Sequence, residues 1–167
     1  DEHAVFYEEN VFYELEKHVL ENYKNQSFLV RKDFNVAVSD FKDGSIDLLH
    51  IDGLHSYDSV KNDFETWKSK LSDEAIVVFH DTRVFDYDFG VYKYWKEIST
   101  KYKFTYEFDH SNGLVICAIS DNPRNHEFFT ILNIRSLRYI FESYGNGILR
   151  DIRIVNQLKY FENSHYF

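Results

Sequence analysis

Apolar positions follow two rhythms along the chain. From Glu9 to Tyr23, Val11, Phe12, Leu15, Val19 and Leu20 recur at helical spacing, which predicts an amphipathic helix with an acidic, polar outer face. SFLVR at 27–31 reads as a short strand, FNVAVSDF alternates too irregularly to assign, and KDGS at 42–45 is a turn. IDLLHID at 46–52 is a near-continuous apolar run, the pattern of a strand covered on both faces. Beyond Ser56, Val60, Phe64, Trp67 and Leu71 recur every three or four residues as one helical face. SDEA at 72–75 then reads as a turn into a second apolar run, AIVVFHD at 75–81. Strand, helix and strand at this spacing make a βαβ unit, with two parallel strands joined by a right-handed crossover.

Downstream, VYKYWKEISTKY at 91–102 reads as a further helix; the aromatics of VFDYDFGVYKYW either line an acceptor pocket or, as the helical spacing of Val91, Tyr94, Trp95 and Ile98 favours, form a core face. KFTYEFD and GLVICAIS are strands separated by the turn signal HSNG, which predicts an antiparallel pair. After Asn122-Pro123, residues 125–144 and 148–162 read as two helices around a Gly145-Asn146-Gly147 break. The expected architecture is a three-layer α/β sandwich ending in an antiparallel hairpin, followed by C-terminal helices. Its expected divisions are an α/β domain over 1–121 and a helical extension over 122–167.

Composition narrows the function classes. A length of 167 residues suits one domain, and the 44% hydrophobic content excludes disorder. Twenty-eight acidic against nineteen basic residues leave a net charge of -9 with no basic patch, which argues against nucleic-acid binding. No apolar stretch is long enough for a membrane span, and the acidic start lacks the features of a signal peptide. The single cysteine, Cys117, lies in the apolar run GLVICAI and reads as a buried thiol, so a cytoplasmic setting is expected. The absence of methionine and the abrupt polar start suggest a fragment of a longer polypeptide.

Polar residues cluster where the two apolar strands stop, and ligands of open parallel sheets bind beyond such strand ends. Strands lie about 4.8 Å apart, so Asp52 and Asp81 are placed to share a cation, with His55 or His80 adding a nitrogen. Alternatively His55 or His80 is a general base. The structural alternative is that Asp81 and Ser56 cap turns and helices while His50 is a hydrogen-bonded core histidine. No GxSxG elbow, HExxH helix or paired-cysteine pattern accompanies them, so hydrolase and zinc-protease readings lack their parts.

The string from Ile46 to Trp95 resembles the second half of a class I S-adenosylmethionine-dependent methyltransferase domain. It is most similar to small domains found alone or fused to bacterial glycosyltransferases. The residues that carry the resemblance are His50, Asp52, Gly53, His55, Tyr57, Val60 and Asp63, then FHDT and FGVYKYW. The resemblance covers roughly residues 1–120 and implies an incomplete Rossmann-like sandwich, with IDLLHID and AIVVFHD as its fourth and fifth strands. It further implies S-adenosylmethionine as cofactor and transfer of a methyl group to an oxygen of a sugar or other small hydroxylated acceptor. Catechol-type relatives hold magnesium at these two strand ends, which maps the metal onto Asp52 and Asp81, and histidine stands at 80 where some relatives have an acid. His55 is then the first candidate base and His80 the second. The family's glycine-rich cofactor loop is not among these residues, since the six glycines nowhere form GxGxG. On this reading the chain alone is expected to be inactive, with activity belonging to the full-length protein, and a fused glycosyltransferase domain is an expected partner. The rival is a non-catalytic assembly module of the same fold. Either way, the strand at 46–52 is expected to form an exposed sheet edge through which two chains pair.

Overall fold

A computed structural model describes residues 9–86 and 88–164, which fall into two compact units divided between Lys42 and Asp43. In the first unit, helix α1 (Glu9–Asn22) follows the expected periodicity. The short helix α2 (Phe34–Ala37) starts at Asp33, whose carboxylate accepts from the Asn35 amide at 2.8 Å, a side-chain N-cap. The strand expected at 27–31 does not form: this segment has no strand partner among the described residues, and Phe28 is exposed. Apolar residues without a neighbouring strand cannot satisfy a β backbone.

The second unit holds a four-stranded sheet in the order β1-β2-β4-β3. Strand β1 (Ile46–Ile51) and strand β2 (Leu71–His80) are parallel, joined through helix α3 (Tyr57–Trp67), as the βαβ pattern predicts. After helix α4 (Val91–Ile98), strands β3 (Thr105–Phe108) and β4 (Leu114–Ala118) form the expected hairpin, and β4 docks antiparallel on β2. SDEA is part of β2 and not a turn. Ile46 pairs with Leu71 and an irregularity then absorbs the offset before Leu48 meets Ile76. The polar residues Asp73 and Glu74 are exposed at this outer end of the strand.

Alternation along β2 divides the core. Ala75, Val77 and Phe79 face α3 and α4, packing with Val60, Phe64, Tyr94, Trp95 and Ile98. Ile76 faces the other way, toward a smaller cluster of Tyr106, Ala118, Phe129 and Leu132 built with helix α5 (Pro123–Leu132). The layers are thus helices, sheet and helix. Among the described residues α5 reaches β2, β4 and β3 but leaves the same face of β1 bare. The expectation that β1 is covered on both faces therefore fails: Leu48 is 64% exposed and His50 is exposed. β1 is also an edge strand of this sheet.

Helix α6 (Arg135–Ser164) runs unbroken through Gly145-Asn146-Gly147, and the break between the last two helices lies instead at Asn133-Ile134. Each interior glycine costs a helix about 1 kcal/mol but does not forbid it. Gly145 has a packing reason, since a Cβ there would lie 2.4 Å from the His110 ring at the β3–β4 turn. Among the described residues no helix is long and apolar enough to cross a membrane.

Candidate active site

The parallel register places Ile51 opposite Phe79, so Asp52, just past the end of β1, and His80, the last residue of β2, lie side by side. His80 Nδ1 lies 3.2 Å from Asp52 Oδ1 and 3.0 Å from Asp81 Oδ1. His55, three residues past Asp52, returns over the same point: its Nε2 is 3.3 Å from Asp52 Oδ1 and 3.1 Å from Asp81 Oδ2. The four side chains form a closed ring in which carboxylates and imidazoles alternate. All four sequence candidates meet in it.

Their surroundings differ. The Asp81 side chain is 9% exposed, whereas those of Asp52, His80 and His55 are 46%, 38% and 29% exposed. Asp81 also has a backbone φ of 57°, in the left-handed region that non-glycine residues seldom adopt. That turn redirects the chain at the end of β2 and carries the carboxylate into the ring instead of onward along the strand. Two atoms in the ring, His80 Nδ1 and Asp81 Oδ1, are buried and have no hydrogen-bond partner, although they face each other.

The loop after β2 closes over His55. Phe89 stacks on its imidazole with centroids 4.9 Å apart at 18°, and the Gly90 amide donates to the His55 carbonyl at 2.7 Å. Gly90 is required for this approach, because a Cβ there would lie 2.2 Å from the Tyr57 amide nitrogen. Ser56 caps α3 by accepting from the Ser59 amide at 3.2 Å, fixing the segment that presents His55. Phe89 was not legible as a site residue, since one aromatic in VFDYDFG carries no sign of which ring it will cover. His50 lies outside the ring as an exposed neighbour of His80, with ring centroids 6.0 Å apart. It is not a core histidine. The residues Val91, Tyr94, Trp95 and Ile98 are buried core and line no open site. Burial pushes the Tyr94 phenol well above its ordinary value, and its hydroxyl donates to Glu65 at 3.0 Å.

The chain is similar to known proteins in sequence and in fold. Residues 2–82 match the sequence profile of a family described as a methyltransferase domain. That match takes in just under half of the chain, and the fold is a Rossmann-like mixed α/β one. Over 116 residues it is 42% identical to the uncharacterized protein y4gI of Sinorhizobium fredii, an alignment that takes in 69% of this chain and 13% of that protein. This chain therefore spans a small part of that relative's length. A solved structure of a Corynebacterium glutamicum protein shares the fold with a TM-score of 0.53 at 12% identity, covering 68% of this chain and 58% of that one.

Proposed function

We propose that the domain transfers a methyl group from S-adenosylmethionine to a hydroxyl oxygen of a sugar or other small hydroxylated acceptor, with the Asp52–His55–Asp81–His80 ring as the acceptor end. The observation that supports this is the ring itself, placed at the carboxyl ends of two parallel strands where such folds bind ligands. S-adenosylmethionine, when bound, supplies a methyl group on a positively charged sulfonium. Two carboxylates suit that charge, and Asp52 is the half-exposed one of the two.

His55 is the base. In the transfer the acceptor oxygen forms a bond to the methyl carbon as the carbon–sulfur bond breaks, and the hydroxyl proton passes to the His55 imidazole. Asp52 and Asp81 flank its Nε2 at 3.3 and 3.1 Å and stabilise the imidazolium that forms. Phe89 holds the ring in plane, so the lone pair points at one place. His80 is the second candidate, with the same two carboxylates beside its Nδ1. Magnesium takes oxygen ligands in octahedral geometry. Two of the four ring donors are imidazole nitrogens, so the ring does not fit that ion and no step is routed through it.

The test is calorimetric titration of S-adenosylmethionine into the full-length gene product, with radiolabelled methyl transfer to a panel of sugars and phenols. A His55→Gln variant is expected to bind the cofactor normally and to lose about 100-fold or more in rate, the scale of general-base catalysis. Failure to bind S-adenosylmethionine would overturn the reading. It would favour instead an assembly module acting through the β1 edge, which the bare Leu48 face supports.

A further inference from the structure

We propose that Arg83 is a positioning residue for the site: it locks the one-residue slip at the end of β2 that turns Asp81 into the ring. The inference rests on the reading of His55 as the base, because Asp81 is one of the two carboxylates beside that imidazole.

The slip is visible in the pairing. The β2–β4 ladder ends with His80 opposite Leu114. Continued without a break, it would bring Thr82 opposite Asn112, yet it is the Arg83 amide that donates to the Asn112 carbonyl, at 2.7 Å. The chain leaving β2 therefore carries one residue more than its partner, and the left-handed φ of 57° marks Asp81 as that residue. An extra residue in one strand of an antiparallel pair bends the strand and re-aims a side chain. Here the re-aimed carboxylate comes to 3.0 Å from His80 Nδ1 and 3.1 Å from His55 Nε2. A left-handed conformation is unfavourable for a residue with a Cβ, so its neighbours must hold it.

Arg83 is the neighbour that does so. Gly113, itself at a φ of 81°, lies against its side-chain stem: a Cβ on Gly113 would stand 2.4 Å from Arg83 Cγ and 2.8 Å from the Arg83 backbone nitrogen. The guanidinium donates from Nη2 to Asp109 on the same hairpin, with Glu107 3.6 Å away. Both carboxylates are fixed from other elements. Asp109 accepts from Arg138 of α6 at 3.0 Å, and Glu107 from the Trp95 indole at 2.7 Å. An ion pair as exposed as Arg83–Asp109 adds little to stability. Its effect is one of direction: it pins the stem over Gly113 and with it the backbone two residues beyond Asp81. Losing it should therefore harm the site more than the fold.

Methyl-transfer kinetics with radiolabelled S-adenosylmethionine and imidazole NMR, both on the full-length gene product, test this. Arg83→Ala is expected to lower kcat by about 10- to 100-fold with KM nearly unchanged, the scale of a misplaced catalytic group. Arg83→Lys, which keeps the stem and the charge, should recover most of that loss. At fixed pH the His80 and His55 imidazole resonances should move in Arg83→Ala, while those of His18, in the first unit, stay. Asp109→Asn weakens the anchor without touching the stem, so it should move the same resonances and gives a reading even if Arg83→Ala fails to fold. Arg124→Ala removes an exposed ion pair to Glu74 near the other end of β2 and should change neither rate nor resonances. Resonances unmoved in Asp109→Asn and in Arg83→Ala, or a loss confined to thermal stability, overturn the proposal. A protein that fails to bind S-adenosylmethionine but shows the resonance shifts keeps the clamp on Asp81 and loses only the transfer reading. Methyl transfer at the parent kcat in Arg83→Ala removes only the clamp.

Discussion

β1 and β2 lie side by side, run parallel and carry nearly the same kind of apolar sequence, yet their surroundings are opposite. β2 is central, with Ala75, Val77 and Phe79 fully enclosed. β1 is an edge with one bare face, where Leu48 is 64% exposed. An apolar run therefore reports the strand but not its cover, which depends on where α5 happens to lie. The same contrast passes into the site: β2 delivers the enclosed Asp81, and β1 leads into the half-exposed Asp52. One carboxylate is fixed by its burial and its backbone, while the other faces whatever arrives.

Paired truncations should sharpen this contrast most. Phe79→Ala removes a ring packed against Phe64, Tyr94 and Trp95 and is expected to cost about 3–5 kcal/mol. Leu48→Ala, on the bare face of β1, should stay within about 0.5 kcal/mol in the same denaturant titration. Equal losses at the two positions would mean that β1 is covered after all.

Next in size is Gly90→Ala, which forces a Cβ against the Tyr57 backbone and should destabilise by about 1–3 kcal/mol. Because Gly90 also anchors the His55 carbonyl, the same variant should disturb the His55 imidazole resonances in NMR more than those of His80. The reverse order would separate the loop from the site.

The smallest effect is chemical. Burial pushes the Cys117 thiol up to about 12 from an ordinary 9.0, so it should resist thiol reagents at pH 8 until the protein unfolds. A Leu48→Cys probe on the bare face should react at once. The sign of the linkage follows: above pH 9 the unfolded thiol loses its proton while the folded one keeps it until about 12, so stability falls as pH rises through that interval. Rapid native labelling of Cys117 would show that the α3/α4 side of the sheet is as open as the β1 face.

Much of this was legible in residue order. Period-four patterns marked α1, α3 and α4, and the two apolar runs marked the strands whose ends hold the site. Strand spacing placed Asp52 and Asp81 near one another, and in the structure both lie beside His55 and His80. Four features were hidden for physical reasons. Polar residues at 72–74 look like a turn, yet a strand can expose such residues where it overruns its core. SFLVR has strand composition but pairs with no strand among the described residues. The left-handed backbone of Asp81 and the stacking of Phe89 on His55 arise from tertiary contacts that no local pattern encodes.

The unbroken α6 has a mechanical consequence. Near its start Arg138 is tied to Asp109 and to the Glu107 carbonyl, at 3.0 and 3.1 Å, and Gly145 rides on His110. Residues 151–157 are all exposed. The helix is then a lever resting on a fulcrum at His110: at about 1.5 Å per residue, Gln157 stands about 18 Å beyond Gly145, so a tilt of about 10° there carries it through about 3 Å.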